Sequence, residues 1–131
     1  MNRKVAVLMF VFLAAVVAAA LVVGLSGNQS AAKGCDVNAA TVKHTVVVKD
    51  GEVSDDNIVA QLCDELVIVN KDSTPRNIAF GVHDRHTSYD GVSERLLGKD
   101  NELTVTLVKA GKYHWHDHLH DEVEGYFTVT N

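Results

Sequence analysis

The sequence has few basic residues and no recognisable catalytic motif, and each of these shortages excludes a class of functions. Its 131 residues include 12 basic and 17 acidic side chains, a net charge of −5. An acidic chain lacks the basic surface of a nucleic-acid binder, so we expect no nucleic-acid partner. The sequence contains no Gly-x-Ser-x-Gly, no His-Glu-x-x-His and no phosphate loop, and we therefore predict no enzyme activity. At this length we expect one domain.

Only one long apolar run is present, at residues 5–25, and it follows Arg3 and Lys4. At about 1.5 Å per residue the run is long enough to cross a hydrocarbon core of about 30 Å. A second run is missing, which excludes a polytopic membrane protein. Basic residues before such a run stay in the cytoplasm, so the remainder is expected outside it. We predict a signal or membrane anchor at 1–27, a tether at 28–40 and a folded domain at 41–131.

The fate of the N-terminal run is open from the sequence. A retained anchor gives a membrane-bound protein in the periplasm or at the cell surface, whereas cleavage near residues 30–32 gives a secreted one. A lipid attached at Cys35 is a third alternative. In each case the domain is extracytoplasmic, where the pair Cys35 and Cys63 is expected to form a disulfide; two unrelated free thiols are the alternative.

From residue 41 onward the pattern is that of β-strands. Short runs of β-branched and alternating residues are separated by turns such as Lys49-Asp50-Gly51, and no stretch has the period of a helix. This spacing predicts a β-sandwich or barrel. The segment 87–101 is the least strand-like, and a loop or one short helix is expected there. The predicted strands are 41–48, 58–62, 66–69, 76–82, 103–108, 113–117 and 125–130.

Four of the seven histidines lie within seven positions near the C-terminus, at His114, His116, His118 and His120. Alternate side chains of a strand share a face, so Tyr113, Trp115 and Asp117 should point inward, with His114 and His116 on the opposite face. A buried carboxylate such as that of Asp117 needs a partner.

The histidine-rich stretch AGKYHWHDHLH (110–120), followed by GYFTV (125–129), resembles the C-terminal copper loop of cupredoxins, the blue-copper proteins and related domains of multicopper oxidases. Upstream, VNKDSTPRNIAF (69–80) resembles the segment that carries the first histidine ligand of that family. The resemblance covers residues 41–131. It implies an all-β, Greek-key cupredoxin-like sandwich with a metal site at one end, preceded here by the N-terminal membrane or signal helix.

The blue-copper ligands of that family are largely replaced in this sequence. A blue site needs two histidines, a cysteine thiolate and a weak axial group such as methionine. By the resemblance, those positions hold Arg76, His120, Asp117 and Val123, so only His120 is retained. Arg76 and Asp117 would then face each other and form a bidentate ion pair. The resemblance therefore implies no ordinary blue-copper electron carrier.

The remaining histidines predict a metal site of another kind. His116 and His118 take the places of the histidines that, in multicopper oxidases, flank the cysteine and bind further copper ions. His83 and His86 form a second group, which only a bend in the chain or a neighbouring chain would bring to the first. Nitrogen and oxygen ligands suit Cu(II) first and Zn(II) second. The predicted ligands are His83, His86, His116, Asp117, His118 and His120.

Three functions follow from these residues. The first is a membrane-anchored extracytoplasmic protein that binds or handles copper or zinc, with the membrane and a copper-handling or redox protein as partners. The second is a metal-free interaction or accessory module, locked by the pair Arg76–Asp117. The third is electron transfer through an unusual copper site. Oxidase activity needs a full multicopper arrangement, which one such domain lacks unless it oligomerises.

Overall fold

A computed structural model describes residues 34–36, 39 and 41–131. The predicted anchor at 1–27 and most of the predicted tether at 28–40 lie outside the described residues. In the part of the chain that is described, no helix is long and apolar enough to cross a membrane.

The domain is all-β, as predicted, and its strands form two sheets. In chain order, the strands of the described residues are β1 (Lys43–Lys49), β2 (Glu52–Val53), β3 (Asn57–Gln61), β4 (Glu65–Asn70), β5 (Arg76–Val82), β6 (Arg85–Thr87), β7 (Glu94–Leu97), β8 (Glu102–Thr106), β9 (Gly111–Asp117) and β10 (His120–Thr130). One sheet has the order β2-β1-β4-β8. The other has the order β3-β10-β9-β5-β6, and β7 also pairs with β5.

The core lies where the inward faces of the two sheets meet. Buried and exposed residues alternate along β3, β8 and much of β10, because successive side chains of a strand point to opposite faces. The largest fully buried side chains include Trp115, Phe80 and Phe127. Gly125 lies against the indole of Trp115, and a Cβ at this position would come within 2.7 Å of Nε1 of that ring. The backbone of β10 can therefore approach β9 this closely only with a glycine there.

The expectation of a loop or short helix over 87–101 is wrong at residues 94–97, which form a strand, whereas residues 88–93 and 98–101 lie outside the strands. The segment contains β7, which pairs with the first half of β5, while β6 pairs with the second half. These two short strands together line the outer edge of β5. In β7 only Leu97 is buried, so the strand shows no alternation of apolar and polar residues that would identify it from sequence.

The predicted disulfide between Cys35 and Cys63 is present, with the two Cα atoms 5.5 Å apart. It joins the segment before β1 to the turn after β3 and closes a loop with a sequence separation of 28. On the chain-entropy account, a loop of this length stabilises the fold by about 3–4 kcal/mol. Disulfides of this kind persist in oxidising compartments, which agrees with a domain outside the cytoplasm.

Candidate metal centre

At the position where the resemblance places blue copper, the structure has an ion pair. Arg76 begins β5 and Asp117 ends β9; both are buried, and Nη1 of Arg76 donates to Oδ2 of Asp117 at 3.2 Å. The predicted partners therefore meet, but not in the predicted bidentate geometry. The other guanidinium nitrogen, Nη2, instead donates to Oδ2 of Asp72 at 2.6 Å. One guanidinium thus bridges two carboxylates.

Both carboxylates of this bridge receive further hydrogen bonds from the backbone. Oδ1 of Asp117 accepts the amides of Asn77 and Leu119, at 2.9 and 3.0 Å. Asp72 accepts the amides of Asp50 and Gly51 in the turn between β1 and β2. Asp117 therefore belongs to the ion pair, and among the described residues neither group of potential metal ligands contains it.

The opposite charges in this bridge shift the pKa values of Asp72 and Arg76. Burial raises the pKa of Asp72, but the hydrogen bonds from Arg76 and from the two turn amides outweigh burial, so its pKa lies below the ordinary value of 3.8. Burial lowers the pKa of Arg76, and its two carboxylate partners more than compensate, so its pKa is raised. Asp72 and Arg76 therefore stay charged at neutral pH.

The residues at this position do not fit a blue copper ion. No thiolate is available in the described residues, where both cysteines form the disulfide. Val123, at the axial position, is a fully buried apolar side chain. His120, the one retained ligand, has its side chain 40% exposed, and its nearest charged partner is Glu122, with Nδ1 and Oε1 3.8 Å apart. His120 does not lie in either of the groups of potential ligands described below.

Four other histidines do come together, because the chain turns sharply after β5. β5 and β6 form an antiparallel hairpin in which Gly81 lies opposite His86, and this bend returns His86 towards β9. Gly81 has a φ of 90°, and a Cβ here would lie 2.7 Å from the carbonyl oxygen of Arg85. The predicted bend is thus a hairpin within one chain. It brings His83 and His86 next to His116 and His118.

The first potential ligand group consists of His83, His116 and His118. One ligand nitrogen from each ring lies within 4.8 Å of the others. The ring centroid of His83 lies 5.7 Å from that of His116 and 4.9 Å from that of His118. Three imidazole nitrogens at this spacing need only a small adjustment to meet at one ion, whose nitrogen ligands lie about 2.0–2.1 Å from it.

His116 is the most distinctive member of this group. It is 2% exposed, and its Nδ1 lies 3.0 Å from the carbonyl oxygen of Gly81. That contact makes Nδ1 the protonated nitrogen and leaves Nε2 with a free lone pair. Nε2 is buried and has no hydrogen-bond partner. A buried polar atom without a partner is costly unless something binds it.

The surroundings of His116 keep it neutral. Burial has the largest effect and lowers the pKa of His116 below the ordinary value of 6.5. The hydrogen bond to Gly81 opposes burial, and the neighbouring rings of His114, His86 and His83 lower the pKa further. A neutral imidazole with its Nδ1 held by a carbonyl is the form that binds metal ions in proteins. His83 is oriented in a similar way, since its Nδ1 lies 2.8 Å from Oδ1 of Asp121.

A second potential ligand group shares His118 with the first and adds His86 and Glu94. Nε2 of His86 lies 3.0 Å from Nδ1 of His118, and Nδ1 of His86 lies 3.0 Å from Oε1 of Glu94. Glu94 is not among the predicted ligands; it reaches His86 because β6 and β7 both pair with β5. His114, in contrast, has both ring nitrogens engaged, by Gly81 and by Glu124.

The sequence matches no family model, and no curated protein is significantly similar to it. Solved structures do match the fold. A purple cupredoxin from Nitrosopumilus maritimus superimposes with a TM-score of 0.57 at 18% identity, covering 66% of this chain and 98% of that one. A reduced amicyanin mutant gives 0.58 at 16% identity, and a reduced Cu(I) form of another gives 0.57 at 15%; each match covers 71% of this chain and 87% of the other.

These similarities agree with the architecture that the copper-loop resemblance implies. At such low identity they carry the fold and not the ligands. The two sheets, the position of Arg76 and Asp117 within them, and the structural neighbours together show that this chain has a cupredoxin-like fold.

Proposed function

We propose that this protein is a membrane-anchored, extracytoplasmic metal-binding protein of cupredoxin-like fold, and that it binds copper in preference to zinc through His83, His116 and His118. The observation that carries the proposal is the buried Nε2 of His116, which has no partner and lies in a group of three imidazoles. A metal ion would supply the missing partner.

The chemistry of the three donors favours copper. Imidazole binds both Cu(II) and Zn(II), and affinity for a given nitrogen site is highest for copper among the divalent first-row ions. Three protein ligands leave a coordination position open, through which an ion can be exchanged. A protein that handles copper for a redox or copper-transfer partner needs such an open position. His114, with both nitrogens engaged, adds no ligand.

The expected location is consistent with this function. The disulfide Cys35–Cys63 suits an oxidising compartment. The basic start and the apolar run at 5–25 are the features that predict export and anchoring. A membrane-anchored domain in that compartment would meet metal ions from outside the cell or in the periplasm.

A metal-free module is the second candidate, and the Asp72–Arg76–Asp117 bridge favours it. The bridge fills the position where the resemblance places blue copper with one guanidinium and two carboxylates that pair with it. In this alternative the fold serves as an interaction or accessory domain, and the histidines bind ions only weakly.

Titration of the full-length chain with Cu(II), followed by calorimetry, separates the two candidates. We expect tight binding that His116→Ala weakens at least about tenfold, the usual cost of disturbing a metal ligand shell. His114→Ala is the matched control, because His114 stacks on His116 at 5.5 Å and binds the same carbonyl but lies outside both ligand groups. Weak binding that neither variant changes would favour the metal-free module.

A further inference from the structure

We propose that the histidine cluster binds two metal ions, with His118 as their shared ligand. The second ion is held by His86, Glu94 and His118. This inference rests on the proposed function, since the first ion is the one assigned to His83, His116 and His118.

Two ions are favoured because the potential ligands form two groups and not one. In each group the three ligand atoms lie within 4.8 Å of one another. Among the described residues, no group within that limit contains both His83 and His86. An ion in the first group therefore leaves His86 and Glu94 available. Oε1 of Glu94 already lies 3.0 Å from Nδ1 of His86, so a carboxylate stands beside this ring, while the other nitrogen of the ring faces His118.

The separation of His86 and His118 suits joint binding of an ion. Two nitrogens at about 2.05 Å from one ion are about 2.9 Å apart at a right angle and about 3.4 Å apart at the tetrahedral angle. Nε2 of His86 and Nδ1 of His118 are 3.0 Å apart, within this range. Without an ion a proton lies between them. On binding, that proton is released to solvent and the ion takes its place.

His118 can serve both ions because an imidazole has two ring nitrogens. When one nitrogen binds the second ion, the other remains for the first. The ring then carries no proton, and its negative charge lowers the repulsion between the two ions.

Negative charge around the cluster also suits two divalent ions. Glu94 belongs to the second ligand group itself. Asp121 contacts His83 at 2.8 Å, and Glu124 contacts His114 at 2.8 Å. A site made of neutral imidazoles alone would leave the charge of a second ion uncompensated.

The test is a Cu(II) titration of the full-length protein in detergent, with stoichiometry from calorimetry and spin counting by electron paramagnetic resonance. We expect two equivalents for the unmodified protein. Glu94→Gln should weaken the second equivalent at least about tenfold and leave the first. Glu122→Gln is the matched control, because Glu122 is a nearby carboxylate outside both groups. With both sites filled, coupling through the shared ring should reduce the integrated signal below that of two isolated Cu(II) ions.

The outcomes separate this inference from the proposed function. One equivalent in the unmodified protein, unaffected by Glu94→Gln, would overturn the two-ion centre and leave the proposed single site intact. One equivalent weakened by every variant would mean one ion among all four histidines, which also overturns it. Two equivalents that Glu94→Gln does not change would place the second ion elsewhere. No tight binding at all would overturn the proposed function itself.

Discussion

Two polar clusters lie close together at the end of β9, and they differ in how completely their atoms are paired. In the first, both oxygens of Asp117 have a donor, and Arg76 contacts two carboxylates although its Nε is buried without a partner. In the second, His116 has one nitrogen held by a carbonyl and the other buried without a partner. The adjacent residues His116 and Asp117 of β9 thus differ, because both carboxylate oxygens of Asp117 are hydrogen-bonded whereas Nε2 of His116 is not.

This difference indicates which cluster maintains the fold and which is available for binding. Removing one member of a buried ion pair leaves the other charge without compensation and is expensive. A buried lone pair without a partner lowers stability and is available to an ion. The cupredoxin-like fold thus has an ion pair at the position where the copper-loop resemblance places copper, and two of the proposed ligands, His116 and His118, lie on either side of Asp117.

Arg76→Ala should have the largest effect on stability. It leaves the buried carboxylates of Asp117 and Asp72 without their cation, and breaking a buried pair in this way costs about 3–5 kcal/mol of unfolding free energy. Urea denaturation measures the loss. Lys71→Ala is the control, because Lys71–Asp100 is also an ion pair but is about half exposed, and exposed pairs contribute little to stability. Equal effects of the two variants would show that burial does not distinguish them.

Gly81→Ala should have the next largest effect, and it tests the bend that assembles the histidines. A Cβ would lie 2.7 Å from the carbonyl oxygen of Arg85 and 2.9 Å from the amide of Thr87, so the hairpin must open at a cost of about 1–3 kcal/mol. Gly91→Ala is the control, since its φ of 76° is also positive but nothing lies within 4 Å of the added atom. We expect Gly81→Ala alone to weaken metal binding, because it shifts the carbonyl that orients His116.

Asp72→Asn should make the free energy of unfolding less dependent on pH in the acidic range. Because the folded pKa of Asp72 is lowered, its charge stabilises the native state above the ordinary value of 3.8, and this contribution disappears as the pH falls through the folded pKa. The stability difference between the unmodified protein and the variant should therefore be largest at neutral pH and shrink below pH 3.8. Chemical denaturation across this range measures it.

The exposed Asp100 gives the comparison for that experiment. Its pKa is also lowered, chiefly by the hydrogen bond from Lys71, but the pair is exposed to solvent. Asp100→Asn should change stability little at any pH, and salt should remove what remains. If Asp72→Asn behaved like Asp100→Asn, the bridge around Arg76 would not be the source of acid sensitivity.

Much of the frame was predictable from the sequence because strands have a simple period. Alternation placed Trp115 in the core and Asp117 beside it, and the motif resemblance placed Arg76 opposite that carboxylate. The edge strand β7 was missed because only one of its side chains is buried. A strand at the edge of a sheet has little alternation, and periodicity does not reveal it.

The parts of the site that escaped prediction depend on bends of the chain that the period of a strand does not reveal. Asp72 looks like an ordinary turn residue; it lies only four residues before Arg76, and the two side chains meet because the segment between β4 and β5 bends. Glu94, which was not among the predicted ligands, meets His86 because β6 and β7 line the same strand, β5. His116 and His118, in contrast, belong to a dense run of histidines and were recognised from the sequence alone.

The smallest expected effect concerns the absorption spectrum of the copper-loaded protein, which tells which of the two clusters holds the ion. The intense colour of blue-copper sites requires a cysteine thiolate ligand. Here the carboxylate of Asp117 occupies the cysteine position, and both cysteines form the disulfide. The protein loaded with Cu(II) should therefore show only the weak absorption of nitrogen- and oxygen-ligated copper, and Arg76→Ala should not change this spectrum. An intense blue band would contradict this prediction, because it would require a thiolate ligand and would indicate copper at the position of the ion pair.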